Sequence, residues 1–199
     1  ENLKFIPVSI TYDRVIEQKS YVQELEGANK ETERTSHLLK LVKYRRSHKH
    51  RYGSIYVRFG EALPPTNDVE NKIEINDIAQ KICHRINHNI VATPAAIAAA
   101  SILASGKRGV LMSEATRNWN QIISYLETKD IEFSPRIKHN RASILNEALN
   151  QFDTTKLISL RPNSIESFIS IDESKRLPIS YFRNSIVHFF VSMSVVCTL

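Results

Sequence analysis

Thr93-Pro94 and the run Ala95–Ala104 behind it constrain the fold of this chain strongly. Threonine is a favoured N-cap, and proline at the first helical position gives up an N–H that has no partner there. Every residue from Ala95 to Ala104 is apolar or small. A helix without a polar face needs neighbours all round. The chain must therefore hold a helical body with this segment inside it, and Gly106 is placed to cap its C-terminal end.

The neighbours can be read from helical periodicity on either side. Ile75, Ile78, Ala79, Ile82, Cys83 and Ile86 share one face of a preceding helix, with Asp77, Gln80, Lys81, His84, Arg85 and His88 elsewhere. Ser113-Glu114 opens a helix through Leu126 that carries Trp119, Ile122 and Ile123, and Ala142–Phe152 forms another. Phe133–His139 reads as a connector. Leu157–Leu160 and Ser167–Ile171 flank Arg161-Pro162-Asn163 and suggest a small β-hairpin. Leu177–Val196, entered through Pro178, reads as the last helix.

The N-terminal end has a different character. Phe5-Ile6-Pro7-Val8-Ser9-Ile10-Thr11-Tyr12-Asp13 has the composition of a buried strand, and Pro7 belongs at its edge or first residue. Gly53–Glu61 is a second strand. Between them Glu31–Tyr44 reads as a helix, with Leu38, Leu39, Leu41 and Val42 apolar and its charges ordered to suit the helix dipole. Strand, helix and strand predict a right-handed βαβ unit. Pro64-Pro65 marks a boundary. The expected fold is α/β over residues 1–65, followed over 66–199 by a mainly α-helical domain with a small β-hairpin.

These pieces, taken in order, resemble one family. Ile6-Pro7-Val8 with Tyr12-Asp13, then Glu24-Leu25-x-Gly27-x-x-Lys30-Glu31-x-Glu33, then Val57-x-Phe59-Gly60-Glu61 are similar to the membrane-bound glycerol-3-phosphate acyltransferase family. Arg85-Ile86-Asn87 leading to Thr93-Pro94, and Tyr181-Phe182-Arg183-Asn184-x-Ile186-x-His188, continue the likeness. The first piece resembles the last of that family's four acyltransferase motifs. The resemblance implies transfer of a fatty acyl group from acyl-CoA or acyl carrier protein to position 1 of glycerol 3-phosphate, at the start of phospholipid synthesis. It implies a peripheral enzyme on the cytoplasmic face of a membrane, with residues 1–65 as the C-terminal part of an acyltransferase domain.

The family's chemistry resembles general-base catalysis by a histidine with an aspartate five residues on. None of the seven histidines here has that aspartate, and the family's glutamate-glycine-threonine-arginine motif is absent. The expectation is an internal fragment without catalytic residues of its own. The resemblance assigns Pro7 and Val8 to the wall of the substrate pocket and Lys30 to a phosphate, although Glu31 and Glu33 could equally be partners of Lys30. Dihydroxyacetone phosphate is the alternative acceptor. A non-catalytic helical module with a membrane-binding basic loop is the alternative class.

Charge supports contact with an anionic surface. Of a net charge of +6, much sits at Lys40, Lys43, Arg45, Arg46, Lys49 and Arg51. Such a cluster suits a solvated loop or acidic lipid; no helix-turn-helix, zinc or RNP pattern points to nucleic acid. His84 and His88 lie at i, i+4 beside Cys83, but no further ligands complete a metal site, and no cofactor is expected. Cys83 and Cys197 read as reduced core residues. His188 reads as a packed, hydrogen-bonded histidine, and Arg183-Asn184 as a polar contact tying the last helix to its neighbours or, as the other reading, as a contact to an acyl-donor phosphate.

Overall fold

A computed structural model describes residues 4–13, 53–63, 72–106, 109–139, 141–163 and 165–192. The elements are strands β1 (Val8–Tyr12) and β2 (Ile55–Phe59), helices α1 (Lys72–His88) and α2 (Pro94–Leu103), β3 (Gly109–Leu111), and α3 (Met112–Thr128). There follow α4 (Pro135–His139), α5 (Arg141–Thr154), β4 (Ser159–Arg161), β5 (Phe168–Ser170), α6 (Glu173–Asn184) and a 3₁₀ turn, Val187–Phe190.

Helix α2 occupies the centre, as its composition requires. Thr93 Oγ1 accepts from the Ala96 N–H at 3.3 Å, which makes it the N-cap. Ala95, Ala96, Ile97, Ala98, Ala99 and Ile102 are all buried. The lone hydroxyl in the helix, on Ser101, is turned back onto the Ile97 carbonyl at 2.7 Å and so needs no outside partner. Trp119, Ile123 and Leu126 from α3, Leu149 and Phe152 from α5, and Ile179 and Phe182 from α6 close the core around it. Helix α2 ends at Leu103 with Ala104 as its C-cap, so the expected cap, Gly106, lies two residues beyond it.

The expected hairpin is present and gains a third strand. Strands β4 and β5 pair antiparallel, and β3 joins the other edge of β5, giving the order β3-β5-β4. Val110, Ile169 and Leu160 stand in register across the three strands, and Val110 and Ile169 are buried on the helical core. Gly109 has φ +143, and a Cβ there would lie 2.3 Å from the Ile169 carbonyl oxygen, so only glycine fits.

Three expectations need correction. The N-terminal strands do not form a parallel βαβ unit: β1 and β2 pair antiparallel, Val8 opposite Phe59 and Tyr12 opposite Ile55. Strand pattern fixes burial but not direction, and a long connection between two strands permits either. The expected helix Glu31–Tyr44 and the basic segment lie outside the described residues. The last helix begins at Glu173, so Pro178 is inside it. Proline there removes one bond, to the carbonyl of Ser174, and Ser174 is exposed to solvent. The helix then stops at Asn184 and gives way to the 3₁₀ turn, with helical backbone again at Val191 and Ser192; the rest of the expected helix lies outside the described residues. Phe133–His139 is more than a connector, holding a parallel bridge from Phe133 to Ala92 and the short helix α4.

Candidate functional site

The β1–β2 ribbon and the helical body meet along a seam, at which Pro7, Asp13, Gly60 and Arg85 lie. Pro7 stands just before β1, as its missing N–H demands, and is buried. Its carbonyl accepts from the Gly60 N–H at 2.8 Å, and the Leu63 N–H reaches the Phe5 carbonyl at 2.8 Å, so the pairing runs on past the strand ends. Val8 is half-buried opposite Phe59. Lys30 lies outside the described residues.

Strand β1 turns its polar side inward. Ser9, Thr11 and Asp13 are buried, while Ile10 and Tyr12 are exposed. The turn from α1 into α2 supplies partners for the buried groups. The Ser9 hydroxyl donates to the Asn89 carbonyl at 2.7 Å, and Thr11 Oγ1 accepts from the Val91 N–H at 3.3 Å. Asn89 packs so closely that a Cβ on Gly60 would lie 2.3 Å from its amide nitrogen and 3.2 Å from Pro7 Cγ. Arg85, from the same stretch of α1, donates to the Glu61 carbonyl at 2.9 Å and the Ala62 carbonyl at 3.3 Å. The Arg85-Ile86-Asn87 piece therefore fastens the ribbon to the body.

Asp13 closes the other end of the seam. Its Oδ2 accepts from the Ser54 N–H at 3.0 Å and the Tyr56 hydroxyl at 3.3 Å. It also lines a small cleft with Pro94 and Ala95 at the start of α2, Arg136 of α4, and Glu147 and Gln151 of α5. Arg136 pairs with Glu147 at the rim. A carboxylate near a helix N-terminus is favourably placed, since the first-turn N–H groups carry partial positive charge.

The C-terminal end of α1 has one more contact. His188 is half-buried, with Nε2 3.0 Å from the Asn87 carbonyl oxygen and its ring 3.9 Å from that of Phe189, centre to centre. Desolvation pushes its pKa below the usual histidine value; the bond to Asn87 opposes this. It is the packed, hydrogen-bonded residue expected. Its partner is a carbonyl and not a carboxylate, so no acid–base pair forms at this point. At the far side of the body the Glu166 carboxylate accepts from Ser113 in the first turn of α3, and that contact lowers its pKa.

Other expectations fall differently. Arg183 does not reach a neighbouring helix through the contacts described; it donates to Asn184 Oδ1 beside it at 2.9 and 3.2 Å. The anchor of that helix is Phe182, buried against Phe152 with ring centres 5.2 Å apart. Cys83 is free but exposed, because its face of α1 is not part of the core. Cys197 lies outside the described residues. His84 and His88 are exposed, and among the described residues no three His, Cys, Asp or Glu side chains gather to hold a metal.

The sequence pattern marked Pro7, Tyr12-Asp13, Gly60 and Arg85 as separate pieces but did not bring them together, and it missed Asn89. The alternation Ser9, Thr11, Asp13 was the available signal, since polar residues at every second position mark one face of a strand. The hydrogen bonds of the seam join ribbon to body, and among the described residues no histidine lies within hydrogen-bond reach of Ser9, Thr11 or Asp13.

A short strand ribbon is thus fastened to a mainly helical body through a proline-led strand. A family model describing the glycerol-3-phosphate acyltransferase C-terminal region matches residues 21–199, so the chain belongs to the glycerol-3-phosphate acyltransferase family. Among curated relatives, the "putative acyltransferase plsB1" of Mycobacterium bovis and that of Mycobacterium tuberculosis H37Rv are each 26% identical over 198 residues, which is 96% of this chain and 31% of theirs. The "glycerol-3-phosphate acyltransferase" of Aeromonas hydrophila is 24% identical over 217 residues, 98% of this chain and 25% of its own length. The chain thus spans less than a third of the relatives it matches.

Proposed function

We propose that this chain is part of a glycerol-3-phosphate 1-O-acyltransferase that moves a fatty acyl group from acyl-CoA or acyl carrier protein to glycerol 3-phosphate in phospholipid synthesis. The family match through residues 21–199 carries this reading. Residues 1–65 complete the acyltransferase domain, and 66–199 form the helical support. In this reading a histidine outside these residues removes the hydroxyl proton, since no histidine here has an aspartate five positions on. The present chain is then inactive alone, and Pro7 and Val8 shape the pocket wall without moving a proton. Lys30 meets the substrate phosphate.

The enzyme works at the cytoplasmic face of a membrane as a peripheral protein, held in part by the basic segment from Lys40 to Arg51. Among the described residues no helix is long and apolar enough to cross a membrane. The decisive assay offers glycerol 3-phosphate and dihydroxyacetone phosphate, with labelled acyl-CoA, to the full-length enzyme and to the 199-residue chain. Transfer to glycerol 3-phosphate by the full-length enzyme only is expected. Preference for dihydroxyacetone phosphate would change the acceptor, and transfer by the short chain would overturn the division of labour.

A further inference from the structure

Asp13 has more bonding capacity than its contacts use. Its Oδ2 serves the Ser54 N–H and the Tyr56 hydroxyl. Its Oδ1 is buried without a hydrogen-bond partner in the protein, on a residue only 5% exposed. A carboxylate oxygen accepts, so what it lacks is a donor, and a buried acceptor left unmet is costly.

The cleft beside Asp13 limits what that donor can be. Asp13 lines it with Pro94 and Ala95 of α2, Arg136 of α4, and Glu147 and Gln151 of α5. The room inside is about 10 Å³, space for the centre of one water-sized particle. A phosphate, a polyol or a metal ion carrying its own hydration shell is too large for it.

The wall narrows the choice further. Ala95 is in the first turn of α2, where an N–H has no carbonyl one turn back to meet. The next two N–H groups are taken by Thr93, that of Ala96 by its hydroxyl and that of Ile97 by its carbonyl. The cleft thus sets an acceptor in want of a donor, Asp13 Oδ1, beside a donor in want of an acceptor, the Ala95 N–H. Arg136 and Glu147 meet each other's charge at the rim. A small cation suits Asp13 but faces the positive end of α2. An anion suits α2 but faces Asp13 and Glu147. Water donates and accepts at once, and the Gln151 amide, which does either, is on hand as a third partner. About three bonds is what a buried water commonly makes.

The geometry points to one buried water in this cleft, donating to Asp13 Oδ1 and accepting from the Ala95 N–H. Asp13 then joins β1 to β2 through Ser54 and Tyr56, and to the start of α2 through the water. The inference stands apart from the acyl-transfer reading, since no substrate enters it.

A crystal structure of the full-length enzyme, at a resolution that shows ordered water, tests this, with a second crystal soaked in a rubidium salt. A single peak about 2.7–3.2 Å from both Asp13 Oδ1 and the Ala95 nitrogen is expected, without anomalous signal from rubidium. No peak, a direct bond from α2 to Asp13 Oδ1, or a side chain filling the cleft overturns the inference. An anomalous peak at the position means a monovalent cation and overturns it equally. Ala148, on the same wall, supplies the variant. Ala148→Val adds two methyl groups beside a space for one water, so the peak should be lost while the Ser54 bonds to Asp13 stay. A peak kept in the variant places the water outside this cleft, against the inference. Should the valine variant not fold, the density of the unsubstituted enzyme decides alone.

Discussion

Asp13 and Ser54 hold each other by two bonds across 41 positions of sequence: the Asp13 N–H donates to the Ser54 carbonyl at 3.0 Å, and the Ser54 N–H donates to Asp13 Oδ2 at 3.0 Å. The pair shuts the mouth of the ribbon and settles its register. Asp13→Ala would leave the Ser54 N–H and the Tyr56 hydroxyl without their acceptor, at a cost of about 1–3 kcal/mol. Asp13→Asn keeps an oxygen for Ser54 and should lose less. Urea unfolding followed by circular dichroism measures both; equal stability of wild type and the alanine variant would show that the pair does not hold the ribbon.

Gly60 sits close against Asn89 and Pro7 in the seam. Gly60→Ala should destabilise the protein by about 0.5–1.5 kcal/mol, because the new Cβ turns the free end of the Asn89 side chain aside and presses on Pro7. Asn89→Ala removes the nearer obstacle. A double-mutant cycle should therefore show the pair costing less than the sum of the singles. Strict additivity would mean that the ribbon yields elsewhere.

His188 gives the fold a pH dependence of defined sign. Its folded pKa lies below the ordinary value of 6.5, so in mildly acid solution the unfolded chain binds more protons than the folded one. Its contribution to stability is present above that value and is lost as pH falls through the lower folded pKa. The melting temperature should fall between neutral pH and about pH 5, and His188→Gln should flatten that part of the profile. A slope unchanged by the substitution would place the titration on another group.

Pro7→Ala in the full-length enzyme should lower turnover more than it lowers stability, if the strand wall shapes the pocket. Alanine can occupy the first position of an extended strand, so folding tolerates the change. Turnover at saturating glycerol 3-phosphate and the denaturation midpoint separate the two effects. Parallel losses would make Pro7 purely structural.

Replacing Lys43, Arg45, Arg46, Lys49 and Arg51 by Gln should weaken co-sedimentation with acidic vesicles at low salt, by about 1 kcal/mol for each charge that lies near the surface. Screening over ~8 Å should shrink the difference at physiological salt. Equal sedimentation at low salt would reduce the segment to a solvated loop.

Local chemistry was the part of this fold most legible in the sequence. Thr93-Pro94 announced α2, and its all-apolar run announced the central position it holds. The hairpin showed itself by two short apolar runs about Arg161-Pro162-Asn163. Direction and destination were not legible. Nothing within Val8–Tyr12 or Ile55–Phe59 states whether they run parallel, since pairing sense is decided by the path between them. Pro178 looked like a helix start because proline favours first turns, yet an exposed carbonyl one turn back let it sit inside α6. The isoleucines of α1 read as a core face by period alone; period reports amphipathicity and not which partner covers it. At the seam, Pro7 and Asp13 could be marked from their own strand. Arg85 was marked only as part of the Arg85-Ile86-Asn87 likeness and Asn89 not at all, because both act through contacts some 25 to 80 residues distant.

Helix α2 has a mechanical consequence. Half of its ten residues are alanine, a side chain with no rotamers to change, so at those positions it brings no torsions of its own to the packing. A core of long side chains can absorb a push by shuffling torsions. One that leans on methyl groups has little slack to give. A force applied to the ribbon through Ser9, Thr11 and Arg85 would therefore pass into the helical body as a displacement of the whole block.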